Sequence, residues 1–141
     1  MTSSDLPFQT DAVTRAFADF PDTVRPGLLE VRRLIFEVAA TENVGPIDET
    51  LKWGQPAYLT SESKSGTTLR VGVPKSGGYA VFVHCQTTVI SDARTVFGDA
   101  FTYDGNRAVL FDAETEVAKT PLALLIAQAL TYHRRNEKGP R

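Results

Sequence analysis

Cysteine occurs once in the 141 residues, as Cys85, tryptophan once, as Trp53, and histidine twice. A lone thiol excludes an internal disulfide and a thiolate-rich zinc site built within one chain. With so few histidines, acid–base chemistry would fall to carboxylates or to Lys52, and the sequence singles out no such pair. A P-loop, a dinucleotide fingerprint and a forced Ser-His-Asp arrangement are all lacking. An enzyme is therefore the weakest of the functional classes. Positive charge is not in excess either: 15 Lys and Arg stand against 17 Asp and Glu, a net charge of -2. That removes the long-range attraction on which binding to a phosphate backbone depends, and argues against nucleic acid as a partner. No window approaches the roughly 18 apolar residues of a membrane span. The first residues, MTSSDLPFQTDAVTRAF, have neither the basic start nor the apolar centre of a signal peptide. A cytoplasmic protein without membrane contact is the expectation.

What is present is the composition of one folded domain, residues 1–141, with 42% hydrophobic and 23% charged residues. Residues 1–9 and 136–141 are expected to be flexible ends. Ala12, Val13, Ala16 and Phe17 form one stripe of a short helix that Pro21 closes. Val24, Leu28, Val31, Leu34, Ile35 and Val38 then repeat at helical spacing in a longer helix to about Thr41, whose other face carries Glu30, Arg32, Arg33 and Glu37 as solvated charge. After Asn43-Val44-Gly45-Pro46 the period changes to two. Residues 60–66 read as an exposed hairpin loop, 67–73 as a strand, and 79–86 as a central strand, since Tyr79-Ala80-Val81-Phe82-Val83 is apolar on both faces. A helix around Val89 to Phe97, ended by Gly98, precedes a hairpin at Asp104-Gly105-Asn106. Thr120-Pro121 opens a last, buried helix. The fold class that follows is a single two-layer α+β domain, a mainly antiparallel sheet with amino-terminal helices, a middle helix and a carboxy-terminal helix packed on it.

The segment ETLKWGQPAYL, residues 49–59, is the most unusual in the chain. Gly54 opens backbone angles closed to other residues and Pro56 lacks an N–H for a ladder, so a strand must kink, bulge or end there. A bulge would turn Trp53 and Tyr58 to one side as an aromatic wall, with Lys52, Gln55, Pro56 and, from a neighbouring strand, His84 completing a small-ligand site. Trp53 as a core anchor is the competing reading. Cys85 reads as a buried inert thiol, and His133, with Arg134 and Arg135, as positive charge at a helix carboxyl end. Among the carboxylates, Glu42, Asp48 and Glu49 form one group and Asp112, Glu114 and Glu116 another. Both read first as solvated surface, with Asp48 and Glu49 as weak metal candidates.

The string ETLKWGQPAYL resembles the signature of the YdhG-like family (domain of unknown function 1801, DUF1801), in which a Lys-Trp-Gly-x-Pro-x-Tyr segment follows a long amino-terminal helix. RPGLLEVRRLIF, GYAVFVHC and GNRAVLF fall in the family's order, so the resemblance covers nearly the whole chain. It implies a small α/β domain. Some relatives are described as frataxin-like iron chaperones, and most have no assigned activity. The expectation is thus a non-catalytic module that binds a small molecule or a partner segment at the Lys52–Tyr58 corner, needs no cofactor, and can pair as a homodimer through an uncovered edge strand. An iron-binding chaperone is the alternative, with iron as its cargo.

Overall fold

Thr10 places its hydroxyl 3.0 Å from the Val13 amide and so caps α1, Asp11–Asp19. Arg25 donates to the carbonyls of Phe17, Ala18 and Phe20 at the other end of that helix. It also begins α2, Arg25–Glu42, whose first turn accepts Pro26 and whose end is turned by Asn43 at φ 55. Two further helices follow in the computed structural model, which describes residues 7–84, 86–113 and 119–134: α3, Val89–Phe97, and α4, Lys119–Leu130. Among the described residues no helix is long and apolar enough to cross a membrane.

The strands β1 (Asp48–Lys52), β2 (Gln55–Leu59), β3 (Leu69–Gly72), β4 (Tyr79–Phe82), β5 (Thr102–Asp104) and β6 (Ala108–Phe111) form one antiparallel sheet in the order β1-β2-β3-β4-β6-β5. β4 is central, as its apolar run requires, and ends at Phe82, short of the expected residue 86; beyond it the Thr87 amide donates to the His84 carbonyl at 3.0 Å. One face of the sheet carries Tyr58, Leu69, Val71, Tyr79, Val81 and Val109, all buried with Leu28, Val31, Ile35, Leu122, Leu125 and Ile126 of the helices in a single core. The fold is the expected single α+β domain.

Three parts of the sequence reading change. Arg32 is not a solvated charge, being only 1% exposed beneath Phe8 and Phe36. Arg33, by contrast, pairs with Glu30 and Glu37 along the helix as expected. Residues 60–66 do connect β2 to β3, but Thr60 and Ser65 are buried, and the Ser65 hydroxyl donates to the Leu130 carbonyl at 2.8 Å. Of the amino-terminal end, Pro7, Phe8 and Gln9 are tied down: Phe8 stacks on Phe17 at 5.2 Å, and Gln9 exchanges bonds with β1. Residues 1–6 and 135–141, together with Cys85, Glu114 and Glu116, lie outside the described residues. Arg134 does meet a helix carboxyl end, that of α2, through the Glu42 and Asn43 carbonyls at 3.0 and 2.9 Å.

Burial raises the phenol pKa of Tyr58, Tyr79 and Tyr103 above the ordinary tyrosine value. Stability from these groups is complete below the unfolded-state pKa of about 10 and falls as pH rises beyond it, because the unfolded chain there releases protons that the fold retains. In an alkaline titration the tyrosinate absorbance of Tyr58, the fully buried one, should therefore rise together with loss of helical circular dichroism. Full ionisation with an intact helical signal would contradict this.

Candidate functional site

Lys52 and Gln55 face each other in the β1–β2 register, so Trp53 and Gly54 alone make the turn. Both have positive φ, 57° and 77°, the signature of a type I′ hairpin whose twist suits antiparallel strands. The strand does break at the expected place, but by reversing rather than bulging. Trp53 consequently stands at the hairpin tip, 89% exposed, and Tyr58 lies fully buried in the core. The two rings do not form a shared wall, and Trp53 is not a core anchor either. Pro56 is buried within β2. In a two-residue hairpin the closing pair exchanges both bonds, so Pro56 turns its missing N–H toward β3, whose register with β2 starts only at Ala57.

A tryptophan at the first position of a type I′ turn is costly, since a left-handed backbone crowds its Cβ by about 1 kcal/mol. Replacing Trp53 by Asn, the preferred residue there, removes the strain and almost no packing. Trp53→Asn is expected to raise the unfolding free energy by about 0.5–1 kcal/mol in urea denaturation. A loss of stability would mean that the indole packs on the fold.

Tyr58 instead completes a buried polar network. Its hydroxyl donates to Glu49 Oε2 at 2.9 Å, and Arg32 reaches the same carboxylate through Nε at 2.6 Å and Nη2 at 3.0 Å, a two-pronged pair. The Gln9 amide donates to Oε1 at 3.1 Å, and Arg32 Nη2 also donates to the Pro7 carbonyl at 2.9 Å. Both Glu49 oxygens are thus engaged inside the protein. Asp48, its neighbour on the strand, is exposed on the opposite face. Asp48 and Glu49 therefore cannot share a metal ion without dismantling the pair. Among the described residues no group of three His, Cys, Asp or Glu side chains is arranged to hold one.

The sheet face turned away from the helices is where side chains converge. The registers align Thr50, Ala57, Arg70, Phe82, Ala108 and Asp104 in one row across all six strands. Arg70 lies over the Phe82 ring at 5.5 Å, and its Nη1 donates to Gln55 Oε1 at 2.7 Å. Gln55 can lie flat there because residue 72 is glycine: a Cβ at that position would come 2.8 Å from Gln55 Nε2. Val73, Pro74 and Leu110 help wall an open hollow of about 650 Å³ over this floor, with Lys75 and Arg107 at its edge. Burial lowers the Arg70 pKa from the ordinary arginine value.

Of the residues expected to line a ligand site, only Gln55 reaches this hollow. Lys52 and Trp53 lie two to three residues away at the hairpin end, Pro56 and Tyr58 are buried, and His84 is exposed in the turn after β4, its Nδ1 accepting from the Gln86 amide at 3.1 Å. Arg70, Gly72 and Phe82 were missed. Alternation in LRVG and YAVF places Arg70 opposite in facing to Val71 and Phe82 opposite to Val81, which is the available signal, but their adjacency needs the strand register. Comparison of the chain with models of protein families, with curated proteins and with solved structures finds no match.

Proposed function

We propose that the protein is a non-catalytic binding module whose small-ligand site is the hollow on the helix-free face of the sheet. The observation that carries this reading is the Gln55–Arg70–Phe82 cluster, in which a hydrogen-bonded guanidinium lies over an aromatic ring on the floor of the hollow. Such a floor, part apolar and part polar with few oriented groups, has the composition of small-molecule sites. Among the described residues that line it, the one carboxylate, Asp104, pairs with Arg107 at 3.4 Å, so none of them sets a free acid beside Arg70. Kinship with the YdhG-like family belongs to the same proposal and rests on the Lys-Trp-Gly-x-Pro-x-Tyr segment. In that reading Gln55 joins the segment to the hollow.

Amide chemical-shift mapping with a library of small fragments, neutral and charged, tests the proposal. Perturbations gathered on Gln55, Arg70, Phe82 and Leu110 are expected. Perturbations gathered on another surface, or none, would overturn it.

A further inference from the structure

We propose that the hollow takes an organic anion, a single carboxylate or phosphate head on an apolar body, with Arg70 gripping the head. This inference rests on the reading of the hollow as a ligand site and names the chemistry of its occupant. The chain as a whole carries a net charge of -2. Among the described residues the lining of the hollow reverses that sign, with Arg70, Lys75 and Arg107 against Asp104.

The carboxylate does not neutralise Arg70. Asp104 sits three strands along the same row, on the order of 14 Å away at the usual strand spacing, and is paired with Arg107. Among the described residues no carboxylate makes an ion pair with Arg70 or with Lys75. Arg70 therefore holds a partly desolvated charge answered by one neutral amide and a ring face, and a planar guanidinium with donors to spare matches the two oxygens of an oxyanion.

The Gln55 amide sets the geometry. A guanidinium has only donors, so Gln55 must present its oxygen to Arg70, which leaves its NH2 group as a second donor beside the first. Gly72 keeps that amide flat on the sheet. Phe82, Leu110, Val73 and Pro74 then offer apolar contact to the rest of the ligand, which favours an organic anion over a bare inorganic one.

Calorimetric titration of the whole chain with phenylacetate, phenyl phosphate, the neutral isostere phenylacetamide and inorganic phosphate, each followed by amide shift mapping, tests the proposal. Phenylacetate or phenyl phosphate should bind and shift Arg70, with the tighter of the two identifying the head group, and phenylacetamide should bind about tenfold more weakly. Arg70→Lys, which keeps the charge and loses the fork, should weaken the anion by about tenfold. Gly72→Ala meets only the movable end of Gln55, so it should keep the fold, seen as an unchanged circular dichroism spectrum, and still weaken anion binding severalfold. Phenylacetamide binding as tightly on the same amides would overturn the anion and leave the site standing. Inorganic phosphate binding as tightly as phenyl phosphate would overturn the organic body. Failure of every probe to move these amides would overturn both the anion and the site.

Discussion

Arg32→Met is expected to lower the unfolding free energy by about 3–5 kcal/mol, which for a domain of this size is about 10–15 °C in Tm. The reason is what remains rather than what is lost. Without the guanidinium, the Glu49 carboxylate stays enclosed with only the Tyr58 hydroxyl and the Gln9 amide as donors. The desolvation cost of a buried charge is then no longer offset by an opposite one. Removing the polar groups together should restore most of the loss, because a well-packed apolar replacement of a buried pair is often neutral. Arg32→Met/Glu49→Leu/Tyr58→Phe is therefore expected to unfold at a higher temperature than Arg32→Met alone, and thermal denaturation of the two variants decides it. A single substitution costing less than about 1 kcal/mol would show that water reaches the pair.

Gly66→Ala is the second large effect. A Cβ there would fall 2.4 Å from the Leu130 carbonyl oxygen and 2.5 Å from the Leu130 C and Cα atoms. These are backbone atoms at the end of α4, so no side chain can swing aside. Either the loop or the helix end must shift, and with it the bonds from Ser65 Oγ to Leu130 O at 2.8 Å, Thr67 N to Ala129 O at 2.9 Å, and His133 N to Ser65 O at 2.8 Å. Overpacking and weakened bonds together should cost about 3 kcal/mol, read as a lower urea midpoint at unchanged m. Gly105→Ala is the control. Its φ of 54° carries strain, but nothing lies within 4 Å of the added methyl, so about 1 kcal/mol is expected. Equal losses in the two variants would remove the steric explanation.

The helices and the central strand were legible because their signals are local. Val24 to Val38 repeat at helical spacing, and Tyr79 to Val83 is apolar on both faces, so neither required knowledge of a partner. The hairpin at Trp53-Gly54 was obscured by its first residue: Asn-Gly at that place announces a type I′ turn, whereas tryptophan reads as strand. Glu49 beside Asp48 looked like surface charge, since its burial depends on Arg32, 17 residues earlier. Arg32 itself falls four residues after Leu28 and three before Ile35, on the apolar stripe, and that spacing was the one hint of its inward position. The cluster on the helix-free face was the least legible part. It joins residues of β2, β3 and β4 whose proximity exists only once the strands are paired.

The clamp between residues 65–67 and the end of α4 bears on how the chain is made. Leu122, Leu125, Ile126, Ala129 and Leu130 are fully enclosed, and the carbonyls of Ala129 and Leu130 hold a loop made some sixty residues earlier. During synthesis the sheet and the first three helices emerge with an apolar trough still empty, and only release of the residues around position 134 from the ribosome lets it fill. Nascent chains halted before that point should remain protease-sensitive, because the core lacks the helix that fills it.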